Sequence, residues 1–507
     1  MDISERSVLL AQLERRSEEQ PSRYALEVVC VAALGYFPLI ALGAIALTAA
    51  YYGFAALVQG DPVSPLVPVG LIVSLALIVP VAHALVVKIE PPAGRTVTRE
   101  EAPKLFALID DVLQRTAVRR KDKVKRFEIA SVTLDDSCDA CIRQIPRWGV
   151  FGGYSNHLSL GIPLLAVLSI AELTTVLAHE IGHLGGEHGR WAAWIYRQRA
   201  TFEALERKLA ESGNGLERLL AKFYLRYVPY FTAYTLALAR NHELQADQRA
   251  AWTTNAQVLG RALTKKALAD RFLTEVFWER FYAHLEKTPE PPYPPYSMLP
   301  RALAVAHKEW LRSDWLQQAM RASTADGDTH PPLGERLAAL NLQPDLPTHA
   351  PEAVALKLFG PLATAMLKWC DEEWRVANRA AWRKRHEEIV QARWKIAQYE
   401  SMAEEELKPQ DRWDKSLLLL DIGRQAEAIE ELRTLVILDP NAAKAHFLLG
   451  RLLLEAGDET GLHNLTLAAQ RDAELLEPAG QLGYGYLVER GRKAEAHRFW
   501  ERCQAAA

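Results

Sequence analysis

The stretch Thr175–Trp191, TVLAHEIGHLGGEHGRW, places two histidines four residues apart, with a glutamate directly after the first. Apolar residues recur at helical spacing through "SIAELTTVLAHEIGHLGGEH", and Glu172 lies three residues after Ser169. The sequence therefore predicts a helix opened by a capping box at Ser169. On that helix His179 and His183 share a face and can bring two imidazole nitrogens to within about 2 Å of one ion. Glu180 is turned by roughly 100° from His179. That suits a general base, taking a proton from a water that the metal activates. Gly182, Gly185 and Gly186 leave room for close approach of a helix or a substrate.

A catalytic zinc needs a third protein ligand and one open position. His188 lies nine residues after His179, off the ligand face, and reads as a neighbouring or surface residue. The better candidate is in "LARNHELQADQRAA" (238–251), where Glu243 and Asp247 share one face of another helix. Glu243 would ligate the ion, and Asp247 one turn on would hydrogen-bond the free nitrogen of a ligand histidine. His242 points elsewhere.

"VLAHEIGH" followed some sixty residues later by "ELQAD" resembles the membrane-associated gluzincin peptidases, which include the heat-shock protease HtpX and the CAAX prenyl endopeptidases. "SLGIPLLAVLSIAELTTVLAHEIGH" (159–183) and "DTHPPLGERLAAL" (328–340) are similar to that family's run into the site and its downstream segment. The resemblance covers roughly residues 95–340. It implies a zincin-type helical domain with a small β-sheet, one Zn2+ per chain on His179, His183 and Glu243, and Glu180 as base. It also brings in His330, near the metal, either polarising the developing oxyanion or closing over the open position. Both named relatives carry more hydrophobic segments than this chain, so neither indicates its substrate.

The N-terminal region points to a bilayer. No charged residue occurs from Val28 to Gly60 or from Pro62 to Val87, and each run exceeds the roughly 20 residues that cross a membrane as a helix. The link "QGDPVSPLVP" carries no Lys or Arg. Arg6, Arg15, Arg16 and Arg23 precede the first run, and Lys88, Arg95, Arg99 and Lys104 follow the second. Positive residues stay inside. The expectation is a two-helix transmembrane hairpin in the inner (plasma) membrane, multi-pass, with the catalytic and C-terminal parts cytoplasmic.

Composition is that of a folded protein, 49% hydrophobic and 24% charged, with a net charge of −3. That balance gives no reason to propose nucleic acid as a partner. Five cysteines are too few for a disulfide framework, and Cys138 and Cys141 in "DDSCDACIRQ" read as structural or incidental. "REEAPKLFALIDDVLQRTAV" has helical spacing, while "RFEIASVTLDD" and "NHLSLGIPLL" read as strands with a loop or hairpin, "RWGVFGGYSN", between them. "NHLSLG" is the expected edge strand for an extended peptide. "LLAKFYLRYVPYFTAYTLALAR" (219–240) reads as a buried or membrane-adjacent kinked helix, "KTPEPPYPPY" as a loop, and 362–406 as a charged helix.

Gly423, Gly457 and Gly491 lie 34 residues apart, and Ala428, Leu462 and Ala496 follow at the same period. "GRQAEAIEELRTLVILDPN" reproduces the second helix and exit turn of a tetratricopeptide repeat, and Gly450 falls where the first-helix glycine belongs. The middle copy, "ETGLHNLTLAA", is degenerate.

The expected fold is mainly α (α+β): a cytoplasmic segment (1–24), a transmembrane hairpin (25–90, spans about 30–57 and 66–88), a metallopeptidase domain (95–345), a helical linker (346–407) and an α-solenoid of tetratricopeptide-like repeats (408–507). The expected activity is zinc-dependent endopeptidase action on misfolded or membrane proteins. The partners are a protein or peptide substrate, a protein in the repeat groove and the lipid bilayer. The alternatives are a non-catalytic membrane-tethered adaptor and a processing enzyme for prenylated proteins.

Overall fold

A computed structural model describes residues 9, 12–17, 19–58, 66–85, 91–116, 118–120, 123–125, 127–147, 154–184, 187–210, 215–310, 314–322, 330–345 and 354–504. The chain is mainly helical with a small mixed sheet. It divides into two compact units, Met1–Glu279 with Pro294–Glu373, and Arg280–Tyr293 with Trp374–Ala507. The hairpin link from 59 to 65 and the glycine-rich loop from 148 to 153 lie outside the described residues.

In the first unit α1 (Pro21–Val58) is one 38-residue helix. Its segment Ser22–Ala55 is long and apolar enough to cross a membrane, and α2 (Leu66–Leu85) contributes a shorter apolar run, Pro68–Val79. The two helices touch where Ser74 Oγ donates to Ala46 O at 3.0 Å. Helix α1 begins well before its uncharged run does, because its first half has protein to pack on. Tyr24, Val28, Ala32 and Leu39 are buried in one cluster with Phe202, Tyr224, Tyr227 and Phe231.

The sheet follows. Its strands are β1 (Arg95–Val97), β4 (Ile129–Asp135), β5 (Ala140–Pro146) and β6 (Tyr154–Gly161) in the order β1-β4-β6-β5, while β2 (Val118–Arg120) and β3 (Lys123–Lys125) form a separate ribbon. Strands β4 and β6 are parallel, and β5 runs antiparallel to β6. This corrects the expectation for "NHLSLG". Those residues form β6, which is hydrogen-bonded on both sides, and the edge strand is β5. The reason is pairing between distant segments: β6 takes β4 on one side and β5 on the other, which leaves it no free edge, and its Leu158 and Leu160 are fully buried.

Helix α3 (Pro103–Arg115) lays Leu105, Phe106, Ile109 and Val112 into the core, and α4 (Ile162–Val167) is buried along its whole length. Helix α5 (Ile170–Gly182) starts as the sequence predicts. Ser169 caps it, with the Glu172 backbone N–H donating to the serine and the Ser169 N–H donating to Glu172. Glu172 is itself buried and also receives Lys265 Nζ at 2.8 Å. This ion pair ties the start of the helix to α8.

Helices α6 (Glu187–Ala210) and α7 (Gly215–Thr253) pack together and against α1, and α8 (Ala256–Phe272) packs behind α5. The unit closes with α9 (Pro295–Trp310), α10 (Trp315–Arg321) and α11 (Leu333–Ala339).

The second unit contains most of α12 (Leu362–Glu400), on which Trp374 meets Phe281 edge-on, Trp382 meets it at a tilt and the Trp382 indole donates to Thr288 O at 3.1 Å. Six further helices follow in sequence, α13 (Pro409–Asp421), α14 (Gln425–Leu438), α15 (Ala443–Glu455), α16 (Gly461–Arg471), α17 (Ala473–Glu489) and α18 (Lys493–Gln504). The 34-residue glycines all do the same thing. Gly423, Gly457 and Gly491 have φ of 79°, 81° and 76° and end α13, α15 and α17. In each case the residue after the glycine donates its N–H to a carbonyl five residues back. This left-handed helix stop is open to glycine at least cost. Helices α15 and α16 cross at Gly450 and Gly461, where a Cβ on either residue would meet the other's carbonyl oxygen within 3 Å.

Candidate metal centre

Two helices build the site. Helix α5 carries His179 and Glu180 and ends at His183, which caps it. Helix α7 crosses it and carries Glu243 and Asp247, both buried. The two helices meet at Gly182 and Ala246, where a Cβ on Gly182 would sit in ordinary contact, 3.8 Å from the Ala246 carbonyl oxygen. Three residues of the sequence reading then converge. His179 Nε2 and His183 Nε2 are 3.2 Å apart, Glu243 Oε2 is 3.3 Å from His179 Nε2, and Glu243 Oε1 is 3.3 Å from His183 Nε2.

Two imidazole nitrogens side by side, each against one oxygen of the same carboxylate, leave ligand atoms of all three residues within 4.8 Å of one another, close enough for one ion to reach all three side chains. Among the described residues Glu243 Oε2 is buried without a hydrogen-bond partner, an expensive state for a carboxylate oxygen that has no cation to face. Two imidazoles and a carboxylate are also the donor set of a catalytic zinc site. The residues present fit the ion.

Behind the trio, His179 Nδ1 lies 2.8 Å from Asp247 Oδ1. Asp247 in turn is gripped by Arg336 of α11, whose Nε and Nη2 each donate at 2.7 Å to a different oxygen. The sequence reading missed Arg336. Its signal was slight: one arginine in "LGERLAAL", on a helix whose Leu333 and Leu337 are buried. A fully buried Asp247 needs more than a histidine N–H to hold its charge, and the guanidinium fork supplies it.

The electrostatics follow from burial and these partners. Burial works against a charge on His179, but the neighbouring carboxylates of Asp247 and Glu243 overcome it and raise its pKa to about 10. Burial lowers that of His183 to about 4. Burial pushes Asp247 up, yet Arg336 and His179 bring it down to about 2, and the histidines hold Glu243 low against the same penalty. For Glu180 burial outweighs the neighbouring His179 and the Ile142 N–H and pushes it up to about 8.

Glu180 stands outside the trio as predicted, with Oε1 3.9 Å from His179 Nε2. Its Oε2 accepts from the Ile142 backbone N–H on β5 at 3.2 Å. The edge strand thus borders the site, a cleft of about 290 Å³ whose walls include Ala140, Ile142, Glu180, Glu243, His242 and His330. His330 lies near the trio but is half exposed (51%), with Nε2 3.7 Å from Glu243 Oε2. His242 borders the cleft beside the trio rather than within it. The side chain of His188 lies outside the described residues, as do Gly185 and Gly186. Cys138 and Cys141 are free thiols. Burial above all raises both to about 12.

Residues 151–343 match the model of peptidase family M48. This span holds every side chain of the trio together with Glu180, Asp247, His330 and Arg336. The match supports an M48 metallopeptidase family, whose members are typically zinc-dependent, and with it hydrolysis of peptide or protein substrates. No curated protein and no solved structure matches the chain.

Proposed function

We propose that this protein is a membrane-anchored zinc endopeptidase, with His179, His183 and Glu243 holding the ion, Glu180 as general base and Asp247 fixing the His179 tautomer. The observation that carries this reading is the convergence of His179, His183 and Glu243, with ligand atoms within 4.8 Å of one another, and of a second carboxylate, Glu180, beside them. Bound zinc would supply Lewis acidity, lowering the pKa of an attacking water and polarising the scissile carbonyl. Glu180 takes the proton from that water and passes it to the leaving amine. His330, at the open side of the trio, donates to the oxygen on which charge develops.

Strand β5 is the better peptide-holding edge. In an antiparallel pair, successive residues turn alternately toward and away from the partner strand. Since the Ile142 N–H points to Glu180, Ile142 faces out of the sheet edge toward the cleft. A substrate laid along β5 would be held by main-chain pairing, which tolerates many sequences and suits misfolded or membrane-derived segments. Proline at position 142 removes that N–H without removing a bond to β6. Ile142→Pro, which removes the Glu180 tether and a main-chain donor of this edge together, is expected to lower kcat/KM on an unfolded protein by about tenfold with zinc content unchanged. An unchanged kcat/KM would take β5 out of substrate binding.

In this reading residues 95–345 form the peptidase domain, 1–24 a cytoplasmic segment, 346–407 a linker and 408–507 a tetratricopeptide-like domain whose groove holds a partner or presents substrate. The repeated glycine stops of α13, α15 and α17 support the last assignment. The apolar helix Ser22–Ala55 supports membrane association. With α2 we read it as a two-span hairpin in the inner membrane, with the peptidase and repeat domains cytoplasmic on the charge balance of the flanks.

The test is cleavage of an unfolded protein by the detergent-purified full chain. A chelator such as 1,10-phenanthroline should abolish cleavage, and zinc should restore it in proportion to the metal bound. Cleavage that survives complete removal of metal would end the zinc-peptidase reading.

A further inference from the structure

Helix α1 is too long for its membrane task alone. Its 38 residues, at 1.5 Å each, extend about 57 Å, nearly twice the roughly 30 Å of a hydrocarbon core. Helix α2 lies beside the later part of α1, with Ser74 on Ala46 and Gly70 against Ala49 and Gly53. The earlier part is clamped to α6 and α7. Tyr224 Oη donates to Gly35 O and Tyr227 Oη to Val31 O, each at 2.8 Å, and Tyr24 Oη reaches Tyr234 O at 2.7 Å. The partner of α1 therefore changes near residues 35–42. There the hydrophobic span meets the rest of the protein.

At that level a cavity of about 760 Å³ opens between the two helices. Pro38, Ala41 and Leu42 of α1 form one wall, and Leu219, Phe223 and Tyr227 of α7 contribute to the other. Lys222, Arg226 and Tyr230 complete it. The outer face of α7 continues the pattern. Leu219, Lys222, Leu225, Arg226 and Tyr230 are all exposed and fall on one helical stripe. No carboxylate pairs with Lys222 or Arg226 among the described residues, and Glu217 is buried. A helix face that mixes leucine, tyrosine and unpaired cations beside a membrane helix has the composition of an interfacial element.

We propose that this groove binds an anionic phospholipid of the surrounding bilayer. An acyl chain lies against Pro38, Leu42, Leu219 and Phe223, and the phosphate is held by Lys222 and Arg226. The apolar walls suit an acyl chain, and the two unpaired cations beside them, Lys222 and Arg226, suit a negative headgroup. A free phosphate satisfies only the second, and a neutral lipid only the first. The proposal rests on the membrane-anchored reading above. It deepens that reading by making residues 219–230 part of the membrane contact.

The experiment uses the full chain in nanodiscs of phosphatidylcholine with about one-third phosphatidylglycerol, followed by mild delipidation and native mass spectrometry. The expected result is retained phosphatidylglycerol in excess over its share of the bilayer. Each basic side chain near an anionic surface is worth roughly fivefold, so the Lys222→Glu/Arg226→Glu pair should lower retention by 25-fold or more. Ala41→Trp, which fills the groove and leaves the charges in place, should also release the lipid, while Lys222→Arg/Arg226→Lys should keep it. Zinc content, unchanged in all variants, reports that the fold is intact. Equal retention of both lipids, or retention unaffected by charge reversal and by Ala41→Trp, overturns the groove and leaves the membrane anchor standing. Full solubility of the wild-type chain without detergent overturns both.

Discussion

Glu180→Gln in the detergent-purified full chain is expected to reduce cleavage of an unfolded protein by at least about 10³-fold while leaving one zinc per chain. The expectation comes from geometry. The three ligand atoms belong to His179, His183 and Glu243, and Glu180 holds its carboxylate to the side, tethered to the Ile142 N–H. An amide keeps the size and can still accept that hydrogen bond, so the cleft should keep its shape. It cannot take a proton. The measurement is paired: zinc by elemental analysis and turnover on the same sample. Zinc retained with cleavage lost confirms the role. Zinc lost together with cleavage would make Glu180 part of metal retention, and cleavage retained would remove it from the chemistry.

The second large effect lies one residue behind the ligands. Asp247 has no solvent exposure and holds its charge against two partners, the His179 Nδ1–H and the Arg336 fork. Arg336→Met removes the stronger partner and leaves a buried carboxylate half satisfied. Losing one member of a buried pair costs about 3–5 kcal/mol, and loosening a residue that orients a metal ligand costs about 10–100-fold in metal affinity. Arg336→Met is therefore expected to lower both the unfolding midpoint and zinc affinity. Arg336→Lys should restore little, because an ammonium cannot satisfy both carboxylate oxygens in the plane. The combination Asp247→Asn/Arg336→Met should recover stability without recovering zinc affinity, since it removes the stranded charge but not the ligand's need for orientation. A single variant as stable and as tightly metallated as the wild type would contradict this account.

Local chemistry was legible along the chain wherever neighbours a few residues apart decide it. The Ser169–Glu172 cap, the i, i+4 histidines, the i, i+4 acidic pair and the 34-residue glycine stops all depend on helical periodicity, and all stand where the spacing predicts. Strand order was not legible. An uncharged strand such as β6 presents the same apolar run whether its partners lie on one side or both, so the edge assignment went to the wrong strand and β5 was passed over. Its residues, ACIRQIP, carry no alternation strong enough to announce a strand. Arg336 escaped for a related reason. An arginine is ordinary on a surface helix, and only the position of Asp247, 89 residues earlier, makes it a buried counterion.

By itself the sequence determined which residues could bind and activate a metal, where the apolar helix begins and ends to within a few turns, and the period of the C-terminal helices. These are consequences of residue type and of the fixed rise and turn of a helix. Tertiary structure alone decided that α5 and α7 cross at Gly182 and Ala246, that Arg336 closes the chain from guanidinium to carboxylate to imidazole, and that β5 rather than β6 borders the cleft. Each depends on contacts between segments tens of residues apart, where burial and charge pairing, not local spacing, set the outcome.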